Sequence, residues 1–270
     1  MDLQWEERLI ELLAGKVGGL TPGALARGMR DYFPGLGRES IQQLVKRLVS
    51  DGRLIYTMRL GSTRIELGGY QATRMSKRIF VTSSPKRNDL PPDAVCVQLI
   101  AGTAFGAGDH PTTCMMLRAL EQAITKLDFS RALANVSALD VGTGNGVLAI
   151  AALLLGVGTA VGVDIDPQAC HEARINAMQN SVAGRFSVMD ASVQAVGERS
   201  FDLVLANLRP PTLAVLLPML SSLLAGGGWL ILSGFRADEQ SDLGRLLPVG
   251  MRGVWQERDR GWAAVGVRRD

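Results

Sequence analysis

The chain is poor in cysteine and nearly devoid of histidine. Its 270 residues include three cysteines, Cys96, Cys114 and Cys170, and two histidines, His110 and His171. The cysteines form no CxxC pair, which argues against a zinc ribbon or disulfide framework and fits a reducing compartment. Each reads as a small buried apolar residue, and no metal site is expected. Long apolar runs are missing too. The longest are broken by glycine, proline or serine and fall short of a membrane span. The first residues, Met1-Asp2-Leu3-Gln4-Trp5-Glu6-Glu7, are acidic and lack the character of a signal peptide. These absences predict a soluble, cytoplasmic protein. No Gly-Lys-Ser or Gly-Lys-Thr closes the main glycine-rich turn, so a phosphate-cradling P-loop is not expected. A dinucleotide fingerprint, G-x-G-x-x-G counted from Gly142, would put its third glycine at position 147, which is Val147.

What is present is Asp140-Val141-Gly142-Thr143-Gly144-Asn145-Gly146, a G-x-G-x-G turn with an acid two residues before it. Ser137–Val141 before it suits a buried parallel strand, and Val147–Leu154 after it suits a helix. Glycine at a strand-to-helix turn lets the backbone come close to a ligand. Thr159–Val163 predicts the next strand, with Asp164 at its carboxyl end. A carboxylate placed there can accept both hydroxyls of a ribose. The pair predicts a site for a nucleoside-type cofactor. The pattern resembles motif I of the class I S-adenosylmethionine methyltransferases.

With 47% hydrophobic residues the chain can build one large core and a smaller domain. Charge divides it. Residues 1–92 carry 15 Lys and Arg against 9 Asp and Glu, and residues 93–270 carry 14 against 17. Such asymmetry predicts two domains with different partners. In residues 1–70, helical periodicity over Leu3–Leu13, a Thr21-Pro22 helix start and an apolar stripe over Arg38–Asp51 predict three helices. Arg53–Arg59 and Thr63–Leu67 predict a hairpin around Gly61-Ser62. Three helices and a hairpin resemble a winged helix. Arg38, Lys46 and Arg47 on the third helix, with Arg53, Arg59 and Arg64 on the hairpin, form either a phosphate-contacting set or a protein-docking face. Residues 71–93, with Ser83-Ser84-Pro85 and Pro91-Pro92, read as a linker. Residues 94–270 are then the catalytic domain.

The run Ala101-Gly102-Thr103-Ala104-Phe105-Gly106-Ala107-Gly108-Asp109-His110-Pro111-Thr112-Thr113 leads into an apolar helix. Thr112 or Thr113 is expected to cap that helix, whose first amides suit a carboxylate. This string resembles the AFGTGTHPTT segment of the PrmA family of ribosomal protein methyltransferases. The likeness continues through Asp140–Gly146, Val163–Ala169, Ala173–Ala177, Asp202–Asn207, Gly227–Gly234 and Gly261-Trp262, and so covers about residues 101–269. It implies a seven-stranded, doubly wound Rossmann-like α/β sheet and S-adenosylmethionine as cofactor. It also implies a cofactor site at Thr113, Gly142, Gly144, Asp164 and Asn207, with Phe105 and Gly106 in the approach loop. Asn207 would lie beside the reacting methyl as the catalytic residue, and Asp190 would hold the adenine amine. The acceptor it implies is a lysine or amino-terminal amine of a ribosomal protein.

The chain departs from the family pattern at Ala101, at Asp109 and in Asn207-Leu208-Arg209-Pro210-Pro211. Arg209 there is expected to select an anionic or backbone-rich target. The family's amino-terminal domain is ferredoxin-like, whereas residues 1–70 read otherwise. Two other readings follow: a nucleic-acid methyltransferase docked through the amino-terminal domain, and a DNA-binding regulator that senses the cofactor. His110 is expected to brace the approach loop.

Overall fold

The computed structural model describes residues 2–13, 16, 19–50, 53–59, 61–68, 72–82, 90–100, 110–126, 132–240 and 245–270. They fall into two compact units, one ending at Ala72 and the other beginning at Thr73.

The first unit contains α1 (Asp2–Leu13), α2 (Pro22–Tyr32), α3 (Arg38–Ser50), β1 (Leu54–Arg59) and β2 (Ser62–Leu67). The expected helices and hairpin are therefore present. The Thr21 hydroxyl accepts the Ala24 N–H at 3.2 Å, and Pro22 opens α2, where its missing N–H costs nothing. Leu9, Leu25, Met29, Ile41 and Leu48 line the inner faces of the helices and meet Leu54 and Ile65 of the hairpin. Leu20 bridges to Ile65, which adds one residue of a third strand. Three of the six candidate phosphate-contacting cations are engaged inside the unit. Arg47 and Arg53 both pair with Glu6 of α1, and Arg64 donates to the Gly19 carbonyl at 3.1 Å.

The linker expected over residues 71–93 is replaced, in part, by structure. β3 (Thr73–Arg74), β4 (Ile79–Thr82) and β5 (Val95–Gln98) form a three-stranded sheet in that order. The physical reason is apolar: Met75, Ile79 and Val81 are buried in the main core of the second unit, beside Val97. Polar and proline cues further along outweighed this short alternation in the sequence. Ser83-Ser84-Pro85 itself lies outside the described residues.

The second unit continues with α4 (Pro111–Lys126), β6 (Ser137–Val141), α5 (Val147–Leu154), β7 (Thr159–Asp164), α6 (Pro167–Gln179), β8 (Phe186–Asp190), β9 (Phe201–Asn207), α7 (Pro210–Ser222), β10 (Leu224–Arg236), β11 (Met251–Asp259) and β12 (Trp262–Arg269). The seven-stranded sheet runs β11-β12-β10-β9-β6-β7-β8. Strands β6 to β10 pair parallel, and β12 lies antiparallel between β10 and β11. Each face carries its own core. Leu117, Leu120, Ile150 and Ala173 cover one, and Leu213, Leu217 and Leu220 of α7 cover the other. Burial on both faces explains why apolar residues dominate β6 and β9, Ala138, Leu139 and Val141 in one and Leu203–Ala206 in the other. Chain order reverses between β6 and β9, which opens a crevice at the carboxyl ends of the strands. Among the described residues, no helix is long and apolar enough to cross a membrane.

Candidate functional site

A cavity of about 660 Å³ opens at that reversal point. This is within the usual size of small-molecule sites, roughly 300–1,000 Å³. Its walls come from four strand ends and one helix start: Val141–Gly144 after β6, Asp164–Asp166 after β7, Ala191–Gln194 after β8, Asn207–Arg209 after β9, and His110, Thr112 and Thr113 at α4. Gly234, Trp262 and Leu216 also line it.

Thr113, Gly142, Gly144, Asp164 and Asn207 all line this cavity. Asp190 does not. It ends β8 beside Asp164 and is exposed, and the chain reaches the cavity only at Ala191, whose N–H donates to the Asp164 carbonyl at 2.9 Å. Phe105 and Gly106 lie outside the described residues.

The Asp164 carboxylate is held in place by backbone. One oxygen accepts the Gly144 N–H at 2.9 Å and the other the Asp166 N–H at 3.0 Å. Each oxygen keeps a lone pair, so the carboxylate stands ready to accept two hydroxyls. Thr113 is buried, and its Oγ1 has no hydrogen-bond partner among the described residues. A buried hydroxyl left this way costs about 1–3 kcal/mol, which a polar ligand group would offset. The donor set and the cavity volume fit a nucleoside carrying an amino-acid end.

Gly142 has φ +69°, and a Cβ there would stand 2.5 Å from Leu208 Cδ2. What its missing side chain first makes room for is therefore Leu208. Gly234, with φ +97°, is stricter, since a Cβ would meet the Leu208 backbone oxygen at 2.3 Å. Together the two glycines let the Asn207–Leu208 segment pass between β6 and β10. The Leu208 N–H bonds the Ser233 carbonyl at 3.0 Å.

Asp140 lies under the glycine turn, fully buried. Burial pushes its carboxyl up to about 7, against the opposing pull of hydrogen bonds from the Thr143 hydroxyl (2.8 Å) and the Ala149 N–H (3.3 Å), and Asp164 nearby adds to the rise. Its Oδ1 has no hydrogen-bond partner among the described residues. Burial likewise pushes the Cys170 thiol up, as expected of an inert buried cysteine.

The approach helix departs from expectation at its start. It begins at Pro111, so Thr112 and Thr113 sit in the first turn rather than at the cap. The capping position falls to His110, whose carbonyl accepts the Cys114 N–H at 3.1 Å. Asn176 in α6 and Asn180 at its carboxyl cap brace the site in ways that local patterns did not reveal. Asn176 accepts the Ile100 N–H at 2.8 Å and donates to the Asn145 carbonyl at 2.9 Å, tying the approach strand to the glycine turn. Asn180 bonds both the N–H and the carbonyl of Gln98, at 2.9 and 2.6 Å.

The sequence matches the family described as "Ribosomal protein L11 methyltransferase (PrmA)" over residues 64–270. This chain belongs to the PrmA family. A PrmA relative, the ribosomal protein L11 methyltransferase of Cupriavidus taiwanensis, is 36% identical over 207 residues, covering 75% of this chain and 64% of the relative. Its counterpart from Xylella fastidiosa is 38% identical over 212 residues, covering 76% and 67%. The first of these matches thus spans less than two thirds of the relative's length. Among solved structures, the ribosomal protein L11 methylase of Lactobacillus delbrueckii subsp. bulgaricus superposes with a TM-score of 0.62 at 28% identity, over 73% of this chain and 97% of that one. Residues 1–63 lie outside the PrmA match.

Proposed function

We propose that this chain is an S-adenosylmethionine-dependent N-methyltransferase acting on a protein amine, a lysine side chain or an amino terminus, with ribosomal protein L11 as the acceptor. The observation that carries the reading is the convergence of the Asp164 carboxylate, the Thr113 hydroxyl and the Asn207 amide on one cavity of a PrmA-family sheet. The relatives, named as ribosomal protein L11 methyltransferases, supply the acceptor. An acceptor on the ribosome implies a cytoplasmic site of action.

Bound S-adenosylmethionine would supply a methyl group on a sulfonium centre, open to in-line attack by a nitrogen lone pair. The chain's own residues supply alignment. Asp164 takes the ribose hydroxyls, Thr113 meets the methionine end, and Gly142 and Gly144 keep the turn close to both. Asn207, at the mouth of the crevice, orients the acceptor nitrogen. A lysine acceptor must first lose a proton. From an ordinary pKa of about 10.4, that costs roughly 4 kcal/mol at pH 7.5. Enclosure by Leu208, Leu216 and Trp262 favours the neutral amine. Arg209 is exposed on the rim and suits an acceptor flanked by acidic groups or backbone carbonyls.

The first unit serves as a docking domain for the protein acceptor in this reading. The nucleic-acid alternative loses support because Arg47, Arg53 and Arg64 are engaged within the unit. The test uses methyl-labelled S-adenosylmethionine with purified L11 and, in parallel, a total cell lysate divided between protease and nuclease. Label on L11, lost only to protease, is the expected result. Label lost only to nuclease would redirect the enzyme to nucleic acid. Cofactor binding without any transfer would favour the regulator.

A further inference from the structure

We infer that His110 and Thr112 are positioning residues that fix which end of the Asn207 amide faces the cavity. The inference deepens the proposed methyl transfer and rests on that reading for its catalytic consequence, but not for its geometry.

Three side chains form a line. Asn207 Nδ2 lies 3.2 Å from Thr112 Oγ1, and Thr112 Oγ1 lies 2.8 Å from His110 Nδ1. Taken alone, such a line can run in either direction. The hydroxyl both donates and accepts, an imidazole nitrogen does one or the other by tautomer, and a carboxamide can be turned end for end. A third contact removes the ambiguity. The Thr112 backbone N–H points at the same His110 Nδ1, at 3.4 Å. A backbone amide can only donate, so Nδ1 must accept. The proton of the neutral ring therefore sits on Nε2. The Thr112 hydroxyl then gives its hydrogen to Nδ1, and its oxygen accepts from Asn207. Asn207 is left with Nδ2 committed to Thr112 and Oδ1 available to a ligand donor.

The fold makes this arrangement hard to undo. His110 stands at the cap of α4, where the first-turn amides point outward from the helix and seek acceptors. Its ring is packed edge-on against Trp262, with centroids 5.0 Å apart and planes at 68°. Trp262 is in turn covered by the Arg236 guanidinium, 4.3 Å from the ring centroid. Reversing the line would put an Nδ1–H against the Thr112 N–H, two donors face to face.

The chemical consequence is specific. An amine that attacks a methyl group needs an acceptor for its N–H, so that its lone pair points along the line of attack. Oδ1 of Asn207 provides one, whereas Nδ2 would compete for the lone pair itself. His110 does this work through its acceptor nitrogen. With Nδ1 occupied by two donors, it acts by positioning and not as a base at that atom.

The test separates geometry from catalysis. In the full chain labelled with ¹⁵N, long-range ¹H–¹⁵N spectra at pH 8 report the tautomer of each ring. With two histidines, His110 is assigned by its loss in His110→Phe. We expect the Nε2–H form, and Asn207 side-chain amide signals that move in Thr112→Val but stay in place in Thr112→Ser. An Nδ1–H form, or Asn207 signals indifferent to Thr112→Val, would overturn the inference whatever the acceptor is. In the transfer assay with L11, Thr112→Val should lose about tenfold or more in kcat while cofactor Kd stays within about twofold, and Thr112→Ser should restore it. Equal kcat in the valine and serine variants would also overturn it. A wild-type chain that shows the expected spectra but transfers nothing to L11 would count against the acceptor and leave the amide orientation supported.

Discussion

Replacing Asp140 by Asn should abolish a pH dependence of stability that the wild type carries in its core. The carboxyl titrates near 7 in the folded chain and near 3.9 when unfolded. Two effects compete at this site. The start of α5 favours a negative charge by at most about 2 kcal/mol. The net upward shift corresponds to roughly 4 kcal/mol, so burial wins. Because the folded pKa is raised, the folded state holds a proton that the unfolded state has released. The resulting stability is fully present below pH 3.9 and is lost as pH rises through 7. Linkage gives a loss of about 2.5 kcal/mol between pH 5 and pH 8 from this group alone. Asparagine has the shape of the protonated acid. Its oxygen can keep the Thr143 and Ala149 bonds, and its NH₂ takes the place of Oδ1, which has no hydrogen-bond partner among the described residues. Urea denaturation of both proteins at pH 5 and pH 8 makes the comparison, and titrating groups not coupled to Asp140 cancel in the double difference. Asp140→Asn should gain about 2.5 kcal/mol of stability on wild type between pH 5 and pH 8. Parallel profiles for the two proteins would refute the claim that Asp140 is protonated in the folded core.

Removing the Asp164 carboxylate by Asp164→Ala should weaken S-adenosylmethionine binding by about 10–100-fold, the value of a hydrogen bond to a charged group, as read by calorimetry. Gly142→Ala meets only the mobile end of Leu208, so its main cost is the left-handed backbone, about 1–2 kcal/mol of stability, with cofactor affinity down roughly tenfold as Leu208 turns into the cavity. Gly234→Ala meets backbone instead, so it should damage methyl transfer more than Gly142→Ala does, and the reverse ranking would count against the close passage of Leu208. Asn180→Leu leaves the N–H and carbonyl of Gln98 without their partner and should cost about 2 kcal/mol or more, measured by thermal unfolding with and without cofactor.

What could be read in the sequence was whatever repeats or clusters locally. Alternation and apolar runs marked the strands of the main sheet. The glycines of Gly142–Gly146 marked the turn, and the acid closing the next strand marked Asp164. Local reading failed where a residue's meaning lies in a distant partner. Asn180 holds a backbone 82 positions away, and Asn176 reaches Ile100 across 76. An asparagine in a helix or at its carboxyl cap carries no sign of that. Met75, Ile79 and Val81 formed too short an apolar pattern to compete with the prolines and serines near them, so a strand pair was taken for a linker. Asp190 ends β8 beside Asp164, and only that register shows the chain meeting the cavity from Ala191 onward.

These failures share a cause that bears on the site itself. Most of the cavity wall is made of strand ends, and strand ends are legible. What orients the side chain at each end is supplied by a neighbouring strand or helix, and that is not. Asp164 is aimed by amides of Gly144 and Asp166, and Asn207 by a hydroxyl on α4. Leu208 is admitted by glycines on β10 and after β6. The residues that line the cavity at the strand ends were therefore mostly nameable from sequence, while the residues that brace them, His110, Thr112, Asn176 and Gly234, acquire their places only through the sheet order. Substitutions in that second group should alter turnover or affinity with every ligand-contacting side chain still in place.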